Sequence, residues 1–81
     1  MKEKEIEKFV QLYLNGKCTH RTQLVEDSEV TIFLLSICNE QHRVTVIKKT
    51  MEEMDLNELK RRVLYGFMEA IEFNVCVVGS D

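Results

Sequence analysis

Apolar and polar residues alternate along this chain with two different periods. Near the start, Ile6, Phe9, Val10 and Tyr13 fall at i, i+3, i+4 and i+7, while Glu3, Lys4, Glu5, Glu7 and Lys8 take the other side. The spacing predicts an amphipathic helix over Lys2–Leu14, its charged side solvated. Asn15-Gly16 ends it, because glycine is free to take a left-handed cap. Lys17–Val25 reads as a weak strand, polar enough for a sheet edge, followed by the turn Glu26-Asp27-Ser28-Glu29. Val30–Cys38 (VTIFLLSIC) and His42–Lys49 (HRVTVIKK) carry the strongest β signal, joined by a short polar turn at Asn39-Glu40-Gln41.

The last helix has two possible starts. Thr50 with Glu53 fits a capping box, and Asp55 with Glu58 fits the same logic. Leu56, Leu59, Val63, Phe67, Ala70 and Ile71 form its inner stripe, widened by Leu64 and Met68. Gly66 inside that helix costs about 1 kcal/mol relative to alanine and is either a close-packing site or simply tolerated. The apolar, β-branched tail Val75–Val78 is either a short fourth strand or an extension over the core. The expected fold is therefore α+β, a single domain over 1–81 in the order α-β-β-β-α, with two helices on one face of an antiparallel sheet.

The strand Val30–Cys38 is apolar on both faces, so its burial pattern is ambiguous. One assignment places the even positions Val30, Ile32, Leu34, Ser36 and Cys38 beneath the helices, with Leu24, Val44 and Val46. The odd positions Thr31, Phe33, Leu35 and Ile37 then join Thr45 and Ile47 on the uncovered face, rimmed by Arg21, Gln23, Arg43 and Lys49. On this expectation the protein-binding residues are Phe33, Leu35, Ile37 and Ile47, with Arg21, Arg43 and Lys49 around them.

Composition narrows the classes without naming a reaction. In 81 residues, 44% are hydrophobic and 31% charged, which is ordinary for a globular domain. A net charge of −3 does not favour nucleic acid or an anionic membrane. No apolar run approaches a membrane span, and MKEKEIEK is too charged for a signal peptide, so a cytoplasmic protein is expected. Three cysteines without Cys-x-x-Cys spacing read as small buried hydrophobes.

Three constellations could carry chemistry. Symmetric turns would gather Cys18, His20, Cys38 and His42 at one end of the sheet, a valid tetrahedral zinc set, although Cys-x-His and Cys-x-x-x-His match no zinc signature. No metal or other cofactor is therefore expected. Cys18 and His20 lie close in sequence, but nothing supplies an oxyanion hole, so no catalytic residue is assigned and no small-molecule substrate is expected. Lys60-Arg61-Arg62, with Lys48 and Lys49, forms the alternative, a phosphate-contacting region for nucleic acid.

The element order is similar to that of the double-stranded-RNA-binding fold. That family has a glycine-proline-x-histidine loop and a lysine-rich start to its last helix. Here Asp27-Ser28 and Thr31 stand where the loop should lie, proline is absent, and Asp55, Asn57 and Glu58 replace the lysines. The resemblance is one of order alone. The leading expectation is a small non-enzymatic protein, a regulator, adaptor or inhibitor, that binds a protein partner or itself as a homodimer through one sheet face. In style it resembles the short accessory proteins of phages and mobile elements.

Overall fold

The computed structural model describes residues 2–17 and 19–79, with side chains described as far as residue 72. Its elements are α1 (Lys2–Leu14), β1 (His20–Glu26), β2 (Val30–Ile37), β3 (Glu40–Ile47), α2 (Lys48–Glu53) and α3 (Leu56–Gly79). The three strands form one antiparallel sheet in the order β1-β2-β3. The α+β class and the helix–three strands–helix order agree with the sequence pattern. The tail does not form a fourth strand: α3 continues through Val75–Val78 to Gly79, and the side chains there lie outside the described residues.

α1 has the bounds its periodicity predicts. Ile6, Val10 and Leu14 are buried, and Phe9 and Tyr13 pack at the margin of the core. Gly16 takes φ +82°, and the Lys17 N–H donates to the Leu14 carbonyl at 2.9 Å, closing the helix end.

The second helical region is two helices, because a backbone break at Met54 (φ −80°, ψ 143°) separates α2 from α3. α2 begins directly after β3 with no side-chain cap, so the Thr50–Glu53 capping box does not form. Asp55 does cap α3, its Oδ2 accepting the Asn57 N–H at 3.0 Å. The carbonyls at the end of α2 are met by Lys2. Its Nζ donates to Met51 O at 2.9 Å, and to Glu52 O and Met54 O at 3.2 Å each. A cation at a helix C-terminus satisfies carbonyls that lack intrahelical partners and opposes the negative end of the dipole. The charged start of α1 is thus partly a tether and not only a solvated face.

The turn between β2 and β3 decides the sheet. It is Cys38-Asn39, two residues with φ +50° and +67°, and not the three-residue Asn39-Glu40-Gln41 turn that the polarity suggests. Positive φ at both central residues marks a type I′ turn, whose twist matches that of the flanking strands. Ile37 then faces Glu40, and every cross-strand pair joins an odd position to an even one: Leu35 with His42, Phe33 with Val44, Thr31 with Val46. β1 follows the same rule, with Leu24 opposite Phe33 and Thr22 opposite Leu35.

The core lies on the odd side of β2. Phe33, Leu35, Ile37 and Thr31 are at most 2% exposed, packed with Val46 of β3 and with Ile6, Val10 and Leu14 of α1. Met51 of α2 and Leu59, Val63, Leu64, Phe67 and Ile71 of α3 complete the cluster. Val30, Ile32, Leu34 and Ser36 are only half-buried, and Cys38 is exposed in the turn. The face assignment read from parity is therefore inverted along β2. Phe33, Leu35 and Ile37 belong to the core and cannot form an accessible binding face.

Gly66 has a packing role. A Cβ built there would lie 2.5 Å from Cγ2 of Val44, well inside van der Waals contact, so α3 approaches β3 as closely as it does only because position 66 has no side chain.

Three stability measurements by urea denaturation check this description. Leu35→Ala should cost about 2–5 kcal/mol, whereas Leu34→Ala, one residue away and half-buried, should cost under about 1 kcal/mol. Equal losses would reject the assignment of faces. Gly66→Ala should destabilise despite a helix-propensity gain of about 1 kcal/mol, because the overpacking cost is about 1–3 kcal/mol. In a Val44→Ala background the same substitution should become neutral or stabilising. Finally, Cys38→Asn with Asn39→Gly, which suits positive φ at both positions, should raise stability by about 1 kcal/mol. A loss of stability would mean that the turn is not of this type.

Candidate interaction surface

The sheet face turned away from the helices is built from cross-strand rows. Val30 pairs with Ile47 at one end. Next come Val25, Ile32 and Thr45, then Gln23, Leu34 and Arg43, then Arg21, Ser36 and Gln41. Apolar side chains thus run down the central strand and gather near the Val30 end. Arginine, glutamine and serine gather near the other. Val25 is 36% exposed and Ile47 59% exposed, while Val30, Ile32 and Leu34 are shielded only partly, as expected of central positions on a face without a covering layer.

Charge is segregated by the same alternation. The strands contain four ionised side chains, Arg21, Glu26, Glu40 and Arg43. Both arginines fall on the uncovered face, and both glutamates have the parity of the helix-covered face. Glu26 is engaged there, its Oε1 accepting from Lys48 Nζ at 2.6 Å. That hydrogen bond raises the Lys48 ammonium above its ordinary pKa, against the opposing effect of desolvation.

The expected site residues are therefore divided by the structure. Arg21, Arg43 and Ile47 lie on the uncovered face, and Phe33, Leu35 and Ile37 lie beneath the helices. Lys49 is exposed in α2 and belongs to no sheet row. Val25, Val30, Ile32 and Leu34 take the places that parity had given to the buried residues. The signal that could have found them was the two-residue turn at Cys38-Asn39, which sets the odd positions of β3, Arg43 among them, beside the even positions of β2.

The alternative basic region is not one surface. Lys48 is committed to Glu26, and Lys60 Nζ sits 5.6 Å from the centroid of the Phe9 ring, packed between α3 and α1. Lys49, Arg61 and Arg62 remain exposed.

The four-residue metal set is not assembled by this register. His20 faces Ile37 and His42 faces Leu35, while Cys38 is in the turn and opposite neither. His42 Nε2 lies 3.5 Å from Glu40 Oε1. Cys18 is outside the described residues, and among the described residues no three histidine, cysteine or acidic side chains come together as metal ligands. Nor is any helix among the described residues long and apolar enough to cross a membrane.

Comparisons of this chain with protein-family models, with curated proteins and with solved structures found no match, so the surface has to be interpreted from its own chemistry.

Proposed function

We propose that this chain is a small non-enzymatic interaction module, a regulator, adaptor or inhibitor acting in the cytosol. It binds a protein partner, or a second copy of itself, through the uncovered sheet face. The observation that carries the reading is the co-location of Val25, Val30, Ile32, Leu34 and Ile47 with the two strand arginines, on the side opposite both long helices. A contiguous apolar patch rimmed by polar groups is the usual form of a protein-binding surface on a small domain. Burial of these side chains would contribute most of the affinity, while Arg21 and Arg43 would steer the encounter and set its register.

The test compares wild type with Ile47→Lys and Leu34→Lys by affinity capture from the native source and by sedimentation equilibrium. Ile47 is 59% exposed, so its replacement should leave the circular dichroism spectrum unchanged. Wild type should retain a defined protein or self-associate, and each variant should weaken that association by about tenfold or more, equivalent to about 1.4 kcal/mol. The reading fails if wild type is monomeric and retains nothing, or if both folded variants retain the same protein as strongly as wild type.

A further inference from the structure

The outer edge of β1 presents a second surface, which adjoins the uncovered sheet face at Arg21. A groove of about 480 Å³ runs between this edge and α1, lined by Lys8, Gln11 and Leu12 from the helix and His20, Arg21 and Thr22 from the strand. The Gln11 side-chain amide donates to the Thr22 hydroxyl and fixes helix to strand at the groove. Leu12 is 63% exposed there, a large apolar side chain with nothing over it.

The backbone of that edge is available for pairing. Asp27 N–H donates to the Val30 carbonyl at 2.9 Å, which sets the phase of the β1–β2 ladder. In an antiparallel pair, hydrogen-bonded positions alternate, so the odd residues of β1 bond to β2 and the even ones point their N–H and C=O outward. Thr22 and Leu24 therefore direct backbone groups away from the sheet, and no further strand lies beside β1 among the described residues. The charge is also one-sided. Lys8 and Arg21 line the groove and no carboxylate does, in a chain whose net charge is −3.

We propose that this groove takes an extended acidic segment of a partner protein, which adds to β1 as a fourth strand. Main-chain hydrogen bonds to Thr22 and Leu24 provide the affinity common to any sequence. Alternate side chains provide selection: on the helix side they cover Leu12 and reach Lys8, and on the opposite side they reach Arg21. Carboxylates among apolar β-branched residues fit both sides. The β1 strand of a second copy fits less well, because it brings its own Arg21, and its single carboxylate, Glu26, is already paired with Lys48. The site is distinguished from the uncovered face by Lys8 and Leu12 on α1, although Arg21 borders both.

The experiment is selection of a random peptide library, each peptide 7 residues long to match β1, on the immobilised full chain. Selected peptides should be enriched in aspartate or glutamate alternating with apolar residues. By NMR they should slow amide exchange at Thr22 and Leu24. A version N-methylated at alternate amides should not bind. Lys8→Glu and Leu12→Asp, both at exposed positions of α1, should each weaken binding by about tenfold or more while leaving the circular dichroism spectrum and any association through Ile47 unchanged. The proposal is overturned if no peptide is enriched, if bound peptides leave those two amides unprotected, or if neither α1 variant weakens them. It is also overturned, in favour of a second copy, if concentrating the chain alone protects Thr22 and Leu24 and peptides cannot compete.

Discussion

The length of one turn controls this fold. With two residues at Cys38-Asn39, odd positions of β2 stand beside even positions of β3. With three they would stand beside odd ones. Because side chains alternate strictly along a strand, that single residue decides which set is drawn beneath the helices. The left-handed backbone at Cys38 and Asn39 is the local requirement for the shorter turn. Asparagine accepts it readily, whereas cysteine does so at some steric cost, which the flanking ladder must offset. Which residues of β2 stand beside the buried Val46 and which beside Arg43 follows from that choice.

Much of the architecture was legible in the residues. The helical stripe of α1, its Gly16 terminus, the Asp55 cap and the inner stripe of α3 are local signals, and each appears where its periodicity or chemistry places it. The faces of β2 were not legible from β2 alone. VTIFLLSI is apolar at both parities, so a strand read singly has no wet side. The information sat in its neighbours. Arg21 and Gln23 on β1, and Arg43 on β3, occupy odd positions, and the pairing sets Arg21 opposite Ser36 and both Gln23 and Arg43 opposite Leu34. A polar-looking run at Asn39-Glu40-Gln41 concealed that turn, because Glu40 and Gln41 are in fact the first residues of an edge strand whose outer side is solvated.

Other parts depend on contacts distant in sequence and have no local signature. Lys2 bonds to carbonyls some fifty positions away, and in doing so holds the start of α1 against the α2–α3 junction. Nothing in MKEKEIEK separates this lysine from Lys4 or Lys8. Gly66 is similar. In sequence it is a weak point in a helix, and only the proximity of Val44 shows that the missing side chain is what lets α3 settle on the sheet. The first contact holds the helices to one another, and the second couples α3 to β3.

The distribution of charge explains why a chain with an acidic balance can present basic binding surfaces. Among the described residues, the carboxylates lie on helix faces, at the Asp55 cap, in the β1–β2 turn, or on the helix-side parity of the strands, where Glu26 meets Lys48. The uncovered face and the β1 edge are left with Arg21, Arg43 and Lys8. Solvent screening weakens long-range attraction over about 8–10 Å at ordinary salt, so an incoming protein responds mainly to this local pattern and not to the net charge. Arg21 stands where the uncovered face and the edge groove meet, since it lies in a sheet row and also lines the groove. A strand added along β1 would widen the sheet beside Arg21 and extend the face that the apolar row already occupies. The two surfaces are chemically separable at Lys8 and Leu12 on one side and at Ile47 on the other, yet they share a border. Occupation of one therefore changes the rim of the other without any movement of the core.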